Sequence, residues 1–137
     1  MKESNIRDKF TQSVKSEGGD VSNHEDKFTF GVPDSSYGLS QINGWVEHKY
    51  IGSWPVRPST KIKIGLRKDQ VFWMEKRQKT GGRCFILIGV ESEIFLFSGD
   101  LVRELYSGII KKQFYEMSLA VWNKQIDTKQ LKLLLCG

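Results

Sequence analysis

The sequence predicts an α/β domain with a mixed sheet flanked by helices, and three observations carry that expectation. Two segments place apolar residues at helical spacing, and a Gly-Gly pair stops each. Strand-length segments lie between them, and after the second come the continuous apolar run RCFILIGV and its neighbour SEIFLFSG. The order is thus helix, two or three strands, helix, two strands and a variable tail, which suits a layered α/β domain. At 137 residues the chain reads as a single domain spanning 1–137, with no repeat, low-complexity segment or internal boundary.

The first segment, ESNIRDKFTQSVKSEGG, sets Ile6, Phe10 and Val14 four residues apart, an amphipathic helix ended by Gly18 and Gly19. KFTFGV alternates Phe28 and Phe30 with Lys27 and Thr29 and reads as a strand. Pro33 and Asp34-Ser35-Ser36 then mark a bend. A short strand near Tyr37 to Gln41 and a turn around Asn43-Gly44 lead into GWVEHKYI, where Trp45, Glu47 and Lys49 share one face and Val46 and His48 the other. Residues 51–65, with two prolines, read as a loop.

LRKDQVFWMEKRQKTGG forms the clearest helix, with Leu66, Gln70, Trp73, Met74 and Arg77 on one stripe and Gly81-Gly82 as its stop. RCFILIGV reads as a central strand covered on both faces. Two short helices, near DLVRELYS and TKQLKLLL, bracket a stretch containing MSLAVWN to which no element is assigned.

Composition narrows the function classes. Hydrophobic residues make up 39%, with four Trp and eight Phe, which excludes a disordered chain. Twenty-one Lys and Arg against sixteen Asp and Glu leave a net +5, compatible with a polyanionic partner. The two cysteines suit a reducing compartment and have no zinc-ligand spacing with the histidines. No apolar stretch approaches a membrane span, and MKESNIRDKF does not read as a signal peptide, so a soluble cytoplasmic protein without membrane contact is expected.

The chemistry is carried by GVPDSSYGLSQINGWVEHK. An aspartate at a bend and a glutamate on the next strand can converge on one hard divalent cation if the strands are antiparallel neighbours. The His48 carbonyl is then a natural third oxygen. Lys49 follows Glu47 on the same face about 7 Å along the strand, where it can reach a water or a phosphate beside the ion. The same residues also read as turn chemistry followed by a strand with a wet face. Trp45 on that face, the Gly-x-Pro fixing the bend and Gln70 directed at the sheet favour a phosphodiester-cleaving site.

Taken together, GVPD, GWVEHK and LRKDQVFWMEKRQKTGGRCFILIG resemble the PD-(D/E)XK nucleases, above all small phage-type VRR-NUC and Holliday-junction-resolvase-like members. The resemblance runs from about residue 3 to residue 90. It implies the restriction-endonuclease-like core: helix, three strands, helix and further strands, here about residues 3–98. It further implies that Asp34 and Glu47 bind Mg²⁺ or Mn²⁺, that Lys49 is the catalytic lysine, and that Gln70 is the glutamine of the following helix. Glu3 falls where the family places a glutamate on its first helix. Glu25 holds either a family-like position before GVPD or that of a loop charge.

Charge distribution points to DNA separately. Between Arg57 and Arg83 nine Lys and Arg face only Asp69 and Glu75, a local net of +7. Arg57, Lys61, Lys63, Arg67, Lys68 and Arg77 are expected to contact phosphates. Trp54 either stacks on a base or pins the loop. The expected activity is metal-dependent endonucleolytic cleavage of junctions or branched DNA. Site-specific homing or restriction-type cleavage is one alternative, and non-catalytic DNA binding on a nuclease scaffold is another. The tail from 99 to 137 is expected to serve dimerisation or DNA contact. Apolar material in EIFLFSG, MSLAVWN and LKLLLCG supports a C2 homodimer.

Overall fold

The computed structural model describes residues 1–24 and 30–137. Its elements are α1 (Glu3–Ser16), β1 (Asp20–Asn23), β2 (Ser35–Leu39), β3 (Ile42–Ile51), α2 (Lys68–Lys79), β4 (Cys84–Val90) and β5 (Glu93–Ser98). After the single turn Gly99–Leu101 come α3 (Val102–Ser107), α4 (Lys111–Met117), β6 (Ala120–Asn123) and α5 (Thr128–Cys136). One sheet holds all six strands in sequence order. β3 and β4 run parallel and every other neighbouring pair is antiparallel. α2 is the crossover that the parallel pair requires.

Both faces of the sheet are covered. On one, Ile6, Phe10 and Val14 of α1 and Leu131 and Leu135 of α5 pack on Val46, Phe85, Leu87, Ile94 and Leu96. On the other, Val71 and Met74 of α2, Val102 and Leu105 of α3 and Phe114 of α4 pack on Ile86, Ile88, Phe95 and Phe97. β4 therefore sends alternate side chains into two cores and is buried throughout, as its unbroken apolar run implies. Both glycine pairs stop their helices by the same device. Gly18 (φ +88°) and Gly81 (φ +93°) turn left-handed, and the N–H of the second glycine donates back to Val14 O or Arg77 O at 2.9 Å.

Several expectations are corrected. Glu25 and the first half of the KFTFGV strand lie outside the described residues, but Phe30 and Gly31 form a turn, with Gly31 at φ +85°. The strand beside β2 is instead β1, an edge strand with no fully buried residue. The β2–β3 hairpin turns at Ser40-Gln41, both at positive φ (51° and 66°), and not at Asn43-Gly44. Gly44 lies within β3 because Tyr37 pairs opposite it, and its ring occupies the space where a Cβ would stand.

The tail supplies structure: β6 extends the sheet beyond β5, and α5 packs on α1. Ile94 to Phe97, Ala120, Trp122, Leu131 and Leu135 are buried within the chain, whereas Leu119, Val121 and Leu133 of the same segments stay exposed. Among the described residues no helix is long and apolar enough to cross a membrane.

Candidate active site

Strand register brings the two carboxylates together. The last rung of the β2–β3 ladder pairs Ser35 with Val46. One position further on each strand, Asp34 stands beside Glu47. Val46 packs into the α1 core, so alternation turns Glu47 and Asp34 toward the α2 side. Two backbone N–H groups clamp the pair. His48 N–H donates to Asp34 Oδ2 at 3.0 Å, and Asp34 N–H donates to Glu47 Oε1 at 3.2 Å.

Gln70 reaches the site from the first turn of α2. Its Nε2 donates to Glu47 Oε2 at 2.7 Å, and its Oε1 accepts from Arg67 N–H at 3.0 Å, capping the helix. It thus orients the glutamate. Lys49 Nζ lies 3.2 Å from Glu47 Oε2 and donates to Gly65 O at 3.3 Å. Asp34, Glu47, Lys49 and Gln70 therefore meet at one point. Glu3 opens α1 close enough for Lys49 and Asp34 to act on its carboxyl, whose pKa is raised chiefly by burial.

Electrostatics at the site are tense. Glu47 is 1% exposed, and burial, reinforced by the charge on Asp34, pushes its carboxyl up to about 7. Lys49 opposes that rise without cancelling it. A carboxylate pair held this close in a dry setting favours a shared proton or a cation. Among the described residues no three His, Cys, Asp or Glu side chains gather closely enough to hold a metal ion unaided.

The His48 ring lies on the opposite face. Its edge meets Phe10 at 5.3 Å between centroids, and its Nε2 is 3.2 Å from Ser35 Oγ. Burial, with Arg7 nearby, lowers it to about 3, so the imidazole stays neutral and structural. Arg7 itself went unnoticed in the sequence. It lies one helical turn beyond Glu3 and acts on both the Glu3 carboxyl and His48. The Glu3/Arg7 spacing was the available signal.

The basic segment runs along the surface from the loop after β3 into α2. Arg57, Lys61, Lys63, Arg67 and Lys68 are exposed. Lys61 and Lys63 alternate with buried Ile62 and Ile64, and Ile62 bridges to Ile109. Arg67 pairs with Asp69 at 3.2 Å. Trp54 packs edge-to-face on Phe95 and Phe114, with Lys111 Nζ 5.0 Å from its ring centre. The ring thus pins the loop. Arg77 lies over both Trp45 and Trp73, at 5.0 and 4.5 Å from their ring centres.

No family model and no curated protein matches the sequence. By structure the chain is similar to Hjc, a Holliday junction resolvase from the archaeal hyperthermophile Archaeoglobus fulgidus. The TM-score is 0.59 at 14% identity, over 85% of this chain and 93% of that one. At that identity the likeness concerns architecture. The chain has the mixed α/β fold of that resolvase, a six-stranded sheet with helices on both faces.

Proposed function

We propose that this protein is a PD-(D/E)XK-type, metal-dependent endodeoxyribonuclease, structure-specific for Holliday junctions or branched DNA. The observation that carries the reading is the meeting of Asp34, buried Glu47, Lys49 and Gln70 on one sheet face. The resolvase fold supports it. The chemistry of the donor set fits Mg²⁺ or Mn²⁺. Two carboxylates raise each other's cost of ionisation, and a small hard cation that retains several waters needs few protein oxygens. Asp34, Glu47 and the His48 carbonyl would hold it. The N–H of His48 already points at Asp34, and in an extended strand the carbonyl of the same residue faces the same neighbour.

When bound, the cation would neutralise charge at the scissile phosphate and acidify a water. The chain's own residues do the rest. Gln70 fixes the Glu47 carboxylate, and Lys49 presents an ammonium to the attacking water or to charge developing on phosphate. The DNA strands would run over the exposed loop from Arg57 to Lys68. Two strands are cut at a junction, so two copies related by a two-fold axis would supply two sites.

Incubation with Mg²⁺ and four-way-junction, flap, single-stranded and linear duplex DNA tests the reading. Cleavage of branched substrates ahead of linear duplex is expected. Binding without cleavage of any substrate would favour a non-catalytic DNA-binding module instead, and cutting at one linear sequence a site-specific endonuclease.

The loop makes a second prediction. Reversing Lys61, Lys63 and Lys68 to Glu should weaken binding to every DNA at least tenfold at moderate salt and flatten the dependence of affinity on salt. Anisotropy titrations at several salt concentrations measure both. Unchanged affinity and slope would make these lysines a solvated face only.

A further inference from the structure

Beside the carboxylates, on the α2 side of the hairpin, lies an open cleft of about 680 Å³. Its walls include Asn43 and Trp45 of β3, Trp73, Lys76 and Arg77 of α2, and Arg83. The volume lies within the usual range for small-ligand sites. Trp45 shares its face with Glu47, two residues and about 7 Å along the strand. The cleft therefore begins about 7 Å along the strand from Glu47, beside which the scissile phosphate would lie.

Its lining has a particular chemistry. Arg77 stacks its guanidinium over both indoles, which meet edge-to-face at 5.0 Å between centroids. Among the described residues neither Lys76 nor Arg77 forms an ion pair with a carboxylate. Arg83 donates to the Leu135 and Gly137 carbonyls and so frames the end of the cleft. Planar π surface beside cations that no carboxylate among the described residues pairs, with one amide at the rim, matches an unstacked base joined to a phosphate.

We propose that this cleft receives an unpaired nucleotide of the strand being cut, its base against the Trp45–Arg77–Trp73 stack and its phosphate on Lys76 and Arg77. The assignment deepens the nuclease reading and rests on it for the position of the scissile phosphate. It makes the preferred substrate one with unpaired bases beside the cut, and a perfectly paired junction a poorer one. Fully paired duplex keeps its bases stacked and reaches the cleft with phosphates alone.

Anisotropy in EDTA, where no cleavage can occur, tests this on the whole chain. The probes are a blunt duplex, the same duplex with a short unpaired end of either polarity, and that unpaired end with abasic sugars. Binding about tenfold or more tighter to one unpaired end than to the blunt duplex is expected, with the gain lost when the bases are removed. Arg77→Met should also lose most of that gain, because it keeps the packing stem and removes the planar cation. Equal affinity for blunt and unpaired ends, or full retention of the gain by the abasic probe, would overturn the proposal.

The abasic probe changes no residue, so the result stands even if a variant folds poorly. Cleavage in Mg²⁺ without any preference for unpaired ends sinks the cleft alone. Preference for unpaired ends without cleavage sinks the nuclease reading and leaves a base-binding cleft.

Discussion

Glu47→Ala is expected to lower the single-turnover rate of junction cleavage in Mg²⁺ by about a thousandfold or more, while DNA affinity in EDTA changes less than about threefold. The asymmetry follows from where the residue sits. Glu47 is almost wholly buried beneath Gln70 and Lys49, whereas the proposed phosphate contacts lie on the exposed loop. Its removal leaves Gln70 Nε2 and Asp34 N–H short of a partner but also relieves the cost of a buried charge, so the fold should survive. Asp34→Ala should lose a similar factor, because its carboxylate is the other half of the pair. Lys49→Ala should lose activity with metal binding intact. Normal cutting by Glu47→Ala would refute the site.

The same carboxyl sets a pH signature. Folded Glu47 holds its proton more tightly than in the unfolded chain, with a pKa of about 7 against 4.5. The metal-free fold therefore loses stability as pH rises through that interval, on the order of 3 kcal/mol at the upper end. His48, lowered from 6.5 to about 3, acts in the opposite direction as pH falls. Raw stability curves mix the two, but stabilisation by Mg²⁺ isolates Glu47. Below about pH 7 the cation must displace a proton, so its apparent affinity should fall toward tenfold per pH unit. Thermal shifts by Mg²⁺ at pH 8 and pH 6 measure this, and equal shifts would show that Glu47 is not a ligand.

The sequence made the core legible wherever one physical signal dominated. Ile6, Phe10 and Val14 fall on a single helical stripe, and all three are buried. The run from Cys84 to Val90 had to be covered on both faces, and it is. The carboxylate pair followed from alternation and register, which a bend and a hairpin nearly determine. The hairpin turn was misjudged because Asn-Gly is the stronger turn signal, while Ser40-Gln41 has only tolerable chemistry for positive φ. Tertiary contact with Tyr37 explains why Gly44 stays in the strand.

β1 offered no periodicity, since an exposed edge strand buries nothing that patterning can detect. β6 did carry a signal, with Ala120 and Trp122 buried and Val121 and Asn123 exposed, but four residues are a short window for alternation. The Trp45–Arg77–Trp73 stack joins a strand to a helix. Helical spacing places Trp73 and Arg77 together but says nothing of Trp45.

Gly31→Ala is expected to destabilise the protein by about 2–5 kcal/mol and to weaken Mg²⁺ binding with it. Gly31 holds φ +85°, a conformation that costs an L-residue about 1–2 kcal/mol. A Cβ there would also run into the carbonyl oxygen of Asp69 and stand 2.7 Å from its carbonyl carbon and 3.1 Å from Trp73 Cβ. Backbone cannot rotate aside as a side chain can, so α2 or the bend must shift, for roughly 1–3 kcal/mol more. Asp69 immediately precedes Gln70, and Gly31 stands three residues before Asp34. The close approach therefore sets the gap between the bend bearing one carboxylate and the helix that orients the other.

Gly18→Ala is the control. Gly18 has nearly the same φ, +88°, with nothing within 4 Å of its Cβ position, so it should lose only the conformational part, about 1–2 kcal/mol. Urea unfolding of both variants, with Mg²⁺ titrated by thermal shift, separates strain from crowding. A Gly31 variant no less stable than the Gly18 variant, with unchanged Mg²⁺ affinity, would mean that the bend and α2 are not locked together.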